Sequence, residues 1–266
     1  YIYLFVFEGF MTCLILLYLF RNKINLFDWK YRYKKAKYLL KESAPLIVST
    51  AAWVVYTRMD ALMVGNMLGV KEVGYYAAAT KVSDIINFLP IIIVASFTPI
   101  IQKIKLLDVR KYNEKFQVLY NYATLIMLFL AAVVVVFSNF IIQTLYGFDY
   151  LGSAGVLEIH IWVVLINTWA IISGKYLLFD GKQKITMYRH IFGLIINIPL
   201  NVYLISRYGI EGAATATLIS LVVSNYLLDF FYKETRTVFY QKTKSILLGW
   251  VIKDIKKMML EIKNKA

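Results

Sequence analysis

Residues 118–142 read VLYNYATLIMLFLAAVVVVFSNFII, an uncharged run of 25 residues. At 1.5 Å per residue a helix of that length extends about 37 Å, enough to cross a hydrocarbon core about 30 Å thick. No water reaches that depth, so every backbone N–H and C=O must bond within the protein, which leaves a helix or a closed barrel. A barrel strand would alternate apolar and polar residues over about ten positions, and this run does not alternate. It reads as a transmembrane helix.

Six more apolar blocks lie outward from it, at about 1–20, 44–66, 74–98, 156–178, 188–206 and 211–232. The whole chain of 266 residues is 60% hydrophobic and 16% aromatic, against about 45–50% apolar residues in a soluble domain. The expected fold class is all-α, a polytopic transmembrane helix bundle of about seven spans. Residues 1–20 read as a truncated transmembrane helix and 21–43 as a basic interfacial linker. Residues 44–232 read as a six-helix lobe and 233–266 as a basic amphipathic tail. The chain opens Tyr1-Ile2-Tyr3-Leu4 inside an apolar run, with neither the basic n-region nor the cleavage site of a signal peptide. The expectation is therefore a fragment that begins within a helix.

Charge sets the orientation. The chain carries 30 Lys and Arg against 16 Asp and Glu, a formal charge of +14. Residues 21–42, 102–117, 180–190 and 233–266 hold 25 of the 30 basic residues, and each of these segments lies between or after apolar blocks. The alternate loops hold Lys71 and Arg207, each near an acid. Such one-sided loading places the basic loops and the C-terminal tail in the cytoplasm, and argues against nucleic acid as a partner. Leu26, Phe27, Trp29, Tyr31, Tyr33 and Tyr38 among the lysines of 26–42 suit a headgroup layer. In 245–263, Leu247, Val251, Ile255, Met258 and Ile262 form one helical face opposite Lys253, Lys256 and Lys257. That pattern fits either a helix lying on anionic inner-leaflet lipids or a solvated tail helix.

Glu8, Arg58, Asp60, Lys81 and Asp84 are charged residues inside apolar blocks. Each costs about 2.5–3.5 kcal/mol at bilayer depth on insertion scales, so each needs an interior partner or a cavity. Counted from the outer ends of the hairpin 44–98, Asp60 and Lys81 lie about 9 and 10 Å deep, Arg58 and Asp84 about 12 and 15 Å. Matched depths suggest Asp60 with Lys81 and Arg58 with Asp84; Lys81 and Asp84 also share a helix face at i, i+3. Two readings stay open: structural ion pairs, or the wall of a polar cavity that handles an anion or a coupling ion. Arg58 and Asp60 point about 200° apart around their helix, which favours the cavity. Glu8 sits near mid-membrane. Pro90 and Pro199 are expected to kink their helices. Asn197 and Asn201, at i, i+4, suit bonds across helices or contact with substrate. The stripe Gly212, Ala216, Ser220 lets helices approach closely. Cys13, the only cysteine, reads as a small buried hydrophobe.

Signals for catalysis are missing. His160 and His190 have no cysteine or carboxylate at metal-ligand spacing, and no phosphate loop or nucleophile elbow occurs. No metal and no cofactor is expected, and the chain does not read as an enzyme.

Two stretches carry a family resemblance. One runs Leu39-Leu40-Lys41-Glu42-Ser43-Ala44-Pro45-Leu46, on to Asp60-Ala61-Leu62-Met63-Val64-Gly65 and Val73-Gly74-Tyr75-Tyr76-Ala77-Ala78-Ala79-Thr80-Lys81. The other is Asn197-Ile198-Pro199-Leu200-Asn201, followed by Arg207-Tyr208-Gly209-Ile210-Glu211-Gly212-Ala213-Ala214-Thr215-Ala216-Thr217. Both resemble the C-terminal half of bacterial polysaccharide flippases, which act on O-antigen or capsule repeat units within the multidrug/oligosaccharidyl-lipid/polysaccharide exporter superfamily. The resemblance implies two six-helix lobes around a central cavity, with this chain supplying the sixth to twelfth helices. It implies alternating access that carries undecaprenyl-diphosphate-linked oligosaccharide across the bacterial inner membrane, driven by a proton or sodium gradient. It also implies association with a polysaccharide polymerase. Asp60 and Lys81 match recurrent family positions; the site of Arg58 varies, and Glu8 matches no motif. A drug/cation antiporter of the same superfamily would favour acids and aromatics in the cavity over Arg and Lys. A membrane polymerase or transferase would want a large catalytic loop.

Overall fold

The computed structural model describes residues 2–20, 31–105, 107–247 and 249–250. The chain divides into two units, Tyr1–Ala44 and Pro45–Ala266. In the first, α1 (Ile2–Phe20) exposes Glu8 and Cys13. Cys13 is thus not the buried hydrophobe expected, because α1 has no neighbour against this face within its unit. Residues 21–30 of the expected linker lie outside the described residues. Its second half is helical, since α2 already starts at Tyr33 and runs to Leu68.

The second unit is all-helical in its described residues. The rest of α2 is followed by α3 (Val70–Lys105), α4 (Val109–Tyr146), a short 3-10 turn at Phe148–Ser153, and α5 (Ala154–Phe179). Then come α6 (Gln183–Val222), a π-turn at Val223–Leu227, α7 (Leu228–Phe231) and α8 (Arg236–Ile246). Among the described residues five continuous helical stretches are long and apolar enough to cross a membrane, the last being Gln183–Phe231. The quoted run forms the body of α4, whose start is fixed by Asp108: its carboxylate accepts the amides of Arg110 and Lys111 at 2.8 and 3.1 Å. Along α4, Phe129, Val136 and Phe140 are exposed, as lipid-facing side chains are. α5 is buried along most of its length, with Trp162 and Leu178 exposed.

Backbone dihedrals leave the helical region inside two helices, at Phe137 of α4 and Gly209 of α6. The helices run on through Pro90 and Pro199 with helical dihedrals. Gly209, at φ 58° and ψ −138°, adopts a conformation closed to residues with a Cβ. There the chain doubles back. Asn197 bonds Thr217, Gly193 faces Ser224, and Gly212 lies against the backbone of Leu204. These pairs are too far apart in sequence to meet along one straight helix. α6 is therefore an antiparallel hairpin, and its arms correspond to the blocks 188–206 and 211–232. Counted so, residues 45–231 hold six spanning arms.

Gly212 opens the small-residue stripe, and a Cβ there would overlap the carbonyl of Leu204. Gly212→Ala is expected to destabilise the lobe by about 1–3 kcal/mol through overpacking. Thermal unfolding in detergent measures this, and an unchanged midpoint would refute the close approach. The rest of the motif also finds its reason here: Glu211 presses on Gly155, in the first turn of α5.

Contacts define two ends. Lys105 bonds Asp180 at 2.7 Å, Tyr176 bonds Asn113 at 3.1 Å, and Gln117 bonds the carbonyl of Gln241 at 3.0 Å. The ends of α3 and α5 and the start of α4 therefore share one end with α8, the end that carries the basic segments 102–117 and 180–190 and the start of the tail. At the opposite end Gly152 meets Tyr75 and Gly209 meets Leu68.

Candidate functional site: a charged hollow over a buried carboxylate

α2 brings Arg58 and Asp60, α3 brings Lys81 and Asp84, and all four line one cavity of about 330 Å³ between α2, α3, α5 and the second arm of α6. The 200° between Arg58 and Asp60 resolves as follows. Arg58 is exposed, as are Lys81 and Asp84, whereas Asp60 is 3% exposed and forms part of the floor.

Asp60 is held by donors rather than by a cation. Asn201 donates Nδ2–H to Oδ1 at 2.6 Å, Tyr76 donates its hydroxyl to Oδ2 at 3.2 Å, and Thr217 donates its hydroxyl to the same oxygen. Behind them Asn201 also donates to Asn197 Oδ1 at 2.9 Å, and Asn197 donates to Thr217 at 3.4 Å. The hairpin of α6 makes this possible, because it brings positions 197 and 201 of one arm against 217 of the other. The expected pair of Asp60 with Lys81 does not form: the amides and hydroxyls of α3 and α6 occupy the carboxylate. Asn197 and Asn201 are fully buried behind Asp60 and do not line the cavity. Asn201 Oδ1 has no hydrogen-bond partner among the described residues.

Arg58, Lys81 and Asp84 make no direct ion pair among the described residues. Both cations nevertheless act electrostatically on the Asp84 carboxylate. Two cations and the Asp84 carboxylate thus share the open part of the hollow with their side chains unlocked, while the second carboxylate, Asp60, is bonded into the floor. The wall continues with an amide pair, Asn167 to Asn87 at 2.8 Å, and with His160, whose Nδ1 lies 2.8 Å from Ser83 Oγ and whose ring packs edge-on against Tyr76. Glu8 belongs to the other unit and is not among the residues brought together here.

Sequence reasoning missed His160, Asn87, Asn167, Tyr76 and Thr217. Tyr76 and Thr217 lie inside the two motif stretches, which was a usable signal. His160 and the two asparagines carry none, because their meeting depends on the packing of α3 against α5. No cluster able to hold a metal ion occurs among the described residues.

The chain is similar to a putative O-antigen transporter of Shigella flexneri, at 25% identity over 239 residues that cover 88% of this chain and 56% of the relative. It is likewise similar to a probable low-salt glycan biosynthesis flippase of Haloferax volcanii, at 25% identity over 86% of this chain and 48% of the relative. The chain spans about half the length of these curated relatives. Among solved structures, a MOP superfamily transporter from Pyrococcus furiosus, for which a binding pocket of reverse polarity is described, aligns with a TM-score of 0.62. It shares 16% identity, over 74% of this chain and 44% of the other. An outward-facing multidrug resistance MATE family transporter of the MOP superfamily aligns with a TM-score of 0.59 at 18% identity, over 74% and 45% of the two chains. These two likenesses establish the fold of a multi-pass membrane protein. The sequence model of the polysaccharide biosynthesis protein family matches residues 2–155, more than half of the chain, and the chain belongs to that family.

Proposed function

We propose that this chain forms one lobe of a flippase that moves an oligosaccharide linked to undecaprenyl diphosphate across a bacterial cytoplasmic membrane by alternating access. The basic end faces the cytoplasm. The observation that carries the reading is the hollow in which Arg58 and Lys81 face Asp84 without pairing to it, while the other carboxylate, Asp60, is occupied by neutral donors. A diphosphate competes with Asp84 for both cations. Arg58 offers it a planar fork of donors and Lys81 a mobile point charge. Asp84 keeps the two cations compensated while the site is empty. The amides of Asn87 and Asn167 suit sugar hydroxyls, while the lipid tail stays in the bilayer. Below, Asp60 is the place where a proton or sodium ion from the gradient is exchanged.

Substituting Lys81 tests the reading. Lys81→Ala is expected to lower surface polysaccharide by about tenfold, the order of effect when one charge-assisted contact is lost. Lys81→Arg keeps the charge and is expected to retain most of the activity. Wild-type polymer levels in Lys81→Ala, at equal membrane abundance, would sink the assignment.

A further inference from the structure

At the basic end the first arm of α6 and α7 enclose a second groove of about 250 Å³. Its walls are Tyr188, Phe192, Ile195, Leu228 and Tyr232, and Arg189 lines it from beneath. Tyr188, Ile195 and Tyr232 are 54%, 60% and 46% exposed, so the groove opens onto the surface of the bundle. It reaches from Ile185, in the first turn of α6, to Ile195, about 15 Å along a helix that begins at the basic end. A groove of this length and place lies against the headgroup layer and the upper acyl chains of the surrounding leaflet.

Its charge is the second observation. Arg189 and Lys242 are 3% and 0% exposed and both pair with one carboxylate, Asp229. The cluster thus buries one positive charge in excess, and Arg189 Nε has no acceptor among the described residues. Lys184, directly before the lining residue Ile185, and Lys233, directly after Tyr232, are both exposed. A neutral lipid would fill the apolar walls but leave this charge unanswered. An anionic one answers both, and the amphipathic rings of Tyr188 and Tyr232 suit the border between chains and headgroup.

We infer that the groove between the first arm of α6 and α7 is a binding site for an anionic glycerophospholipid, its phosphate held at the mouth by Lys184 and Lys233 over the excess charge of the Arg189 cluster, its acyl chain along Phe192 and Ile195. The site is separate from the charged hollow, and its test reads lipid retention rather than transport, so it stands or falls independently of the flippase reading.

The experiment is native mass spectrometry of the purified protein, released from detergent after incubation with phosphatidylglycerol or phosphatidylcholine of identical chains. At about 1 kcal/mol for each basic residue near an anionic headgroup, the wild type is expected to retain phosphatidylglycerol at least fivefold over phosphatidylcholine. Lys184→Gln with Lys233→Gln is expected to bring the ratio close to one. Ile195→Trp, which fills the groove from an exposed position, is expected to lower retention of both lipids while the protein elutes normally. Equal retention of the two lipids by the wild type overturns the inference. So does a preference that survives removal of both lysines or filling of the groove.

Discussion

Replacing Asp229 with alanine is expected to cost the lobe about 3–5 kcal/mol, the loss found when one partner of a buried ionic network is removed. Asp229 is 1% exposed and accepts from Arg189 on one oxygen and from Lys242 at 2.8 Å on the other. Ser173 of α5 accepts from Arg189 at 3.0 Å, and the carbonyl of Asn225 accepts from Lys242 at 2.6 Å. Asn225 lies in the π-turn, where the wider winding frees carbonyls from the helical ladder. One carboxylate therefore ties α6, α7 and α8, with α5 joined through Ser173. Removing it leaves two buried cations facing each other. Removing Lys242 instead, as Lys242→Met, leaves a neutral pair of Arg189 and Asp229, and is expected to cost little. Burial already pushes the Lys242 ammonium from its ordinary 10.5 down to about 8, with Asp229 opposing the shift and Arg189 adding to it. Between those values the unfolded chain binds more protons than the folded one, so wild-type stability should gain with rising pH over that window relative to Lys242→Met. Thermal midpoints in detergent decide the matter. A wild-type midpoint for Asp229→Ala, or a greater loss for Lys242→Met, would contradict this account.

That cluster also marks where the sequence was legible and where it was not. Apolar length and one-sided basic loops were enough for an all-helical membrane bundle, because bilayer thickness and backbone bonding leave few alternatives. The same charge pattern concealed Arg189 and Lys242, which counted as loop and tail cations and are buried. Sequence position cannot separate a lysine that meets headgroups from one folded inward by a helix such as α8. Asp229, an acid near the end of the last apolar block, was the signal available. The hairpin of α6 was readable as two blocks, but its turn residue was not singled out. Gly209 sits within a motif of small residues, where packing and turning look alike. The expected amphipathic tail beyond Trp250 lies outside the described residues. At the site, depth counting brought Arg58, Asp60, Lys81 and Asp84 to one region and failed on partners. Depth along an axis says nothing about azimuth, and azimuth turned Asp60 toward Asn201 and Thr217.

Asp60→Asn is expected to leave a folded, inserted protein that has lost about tenfold or more of its polysaccharide export, within the range of coupling between linked sites. The substitution keeps the shape of a side chain enclosed by Tyr76, Asn201 and Thr217, removes its charge and turns one acceptor oxygen into a donor. The amide oxygen can still accept from Asn201, and the hydroxyls of Tyr76 and Thr217 can turn to accept from its NH2. Asp60→Ala differs in kind. It leaves three buried donors without an acceptor, at about 1–3 kcal/mol for each unsatisfied group, and should lower stability as well as export. The contrast separates a structural carboxylate from an ion-exchanging one. A structural Asp60 predicts export that follows thermal stability through the pair, with Asp60→Asn near wild type in both. An ion-exchanging Asp60 predicts that Asp60→Asn keeps its thermal midpoint and loses export as fully as Asp60→Ala. Asparagine lacks the charge and one acceptor, and a carboxylate this buried without a cation partner is costly unless an ion visits it. Surface polymer measured beside the detergent melting midpoint for both variants resolves the two cases, and normal polymer in Asp60→Asn would remove Asp60 from the transport cycle.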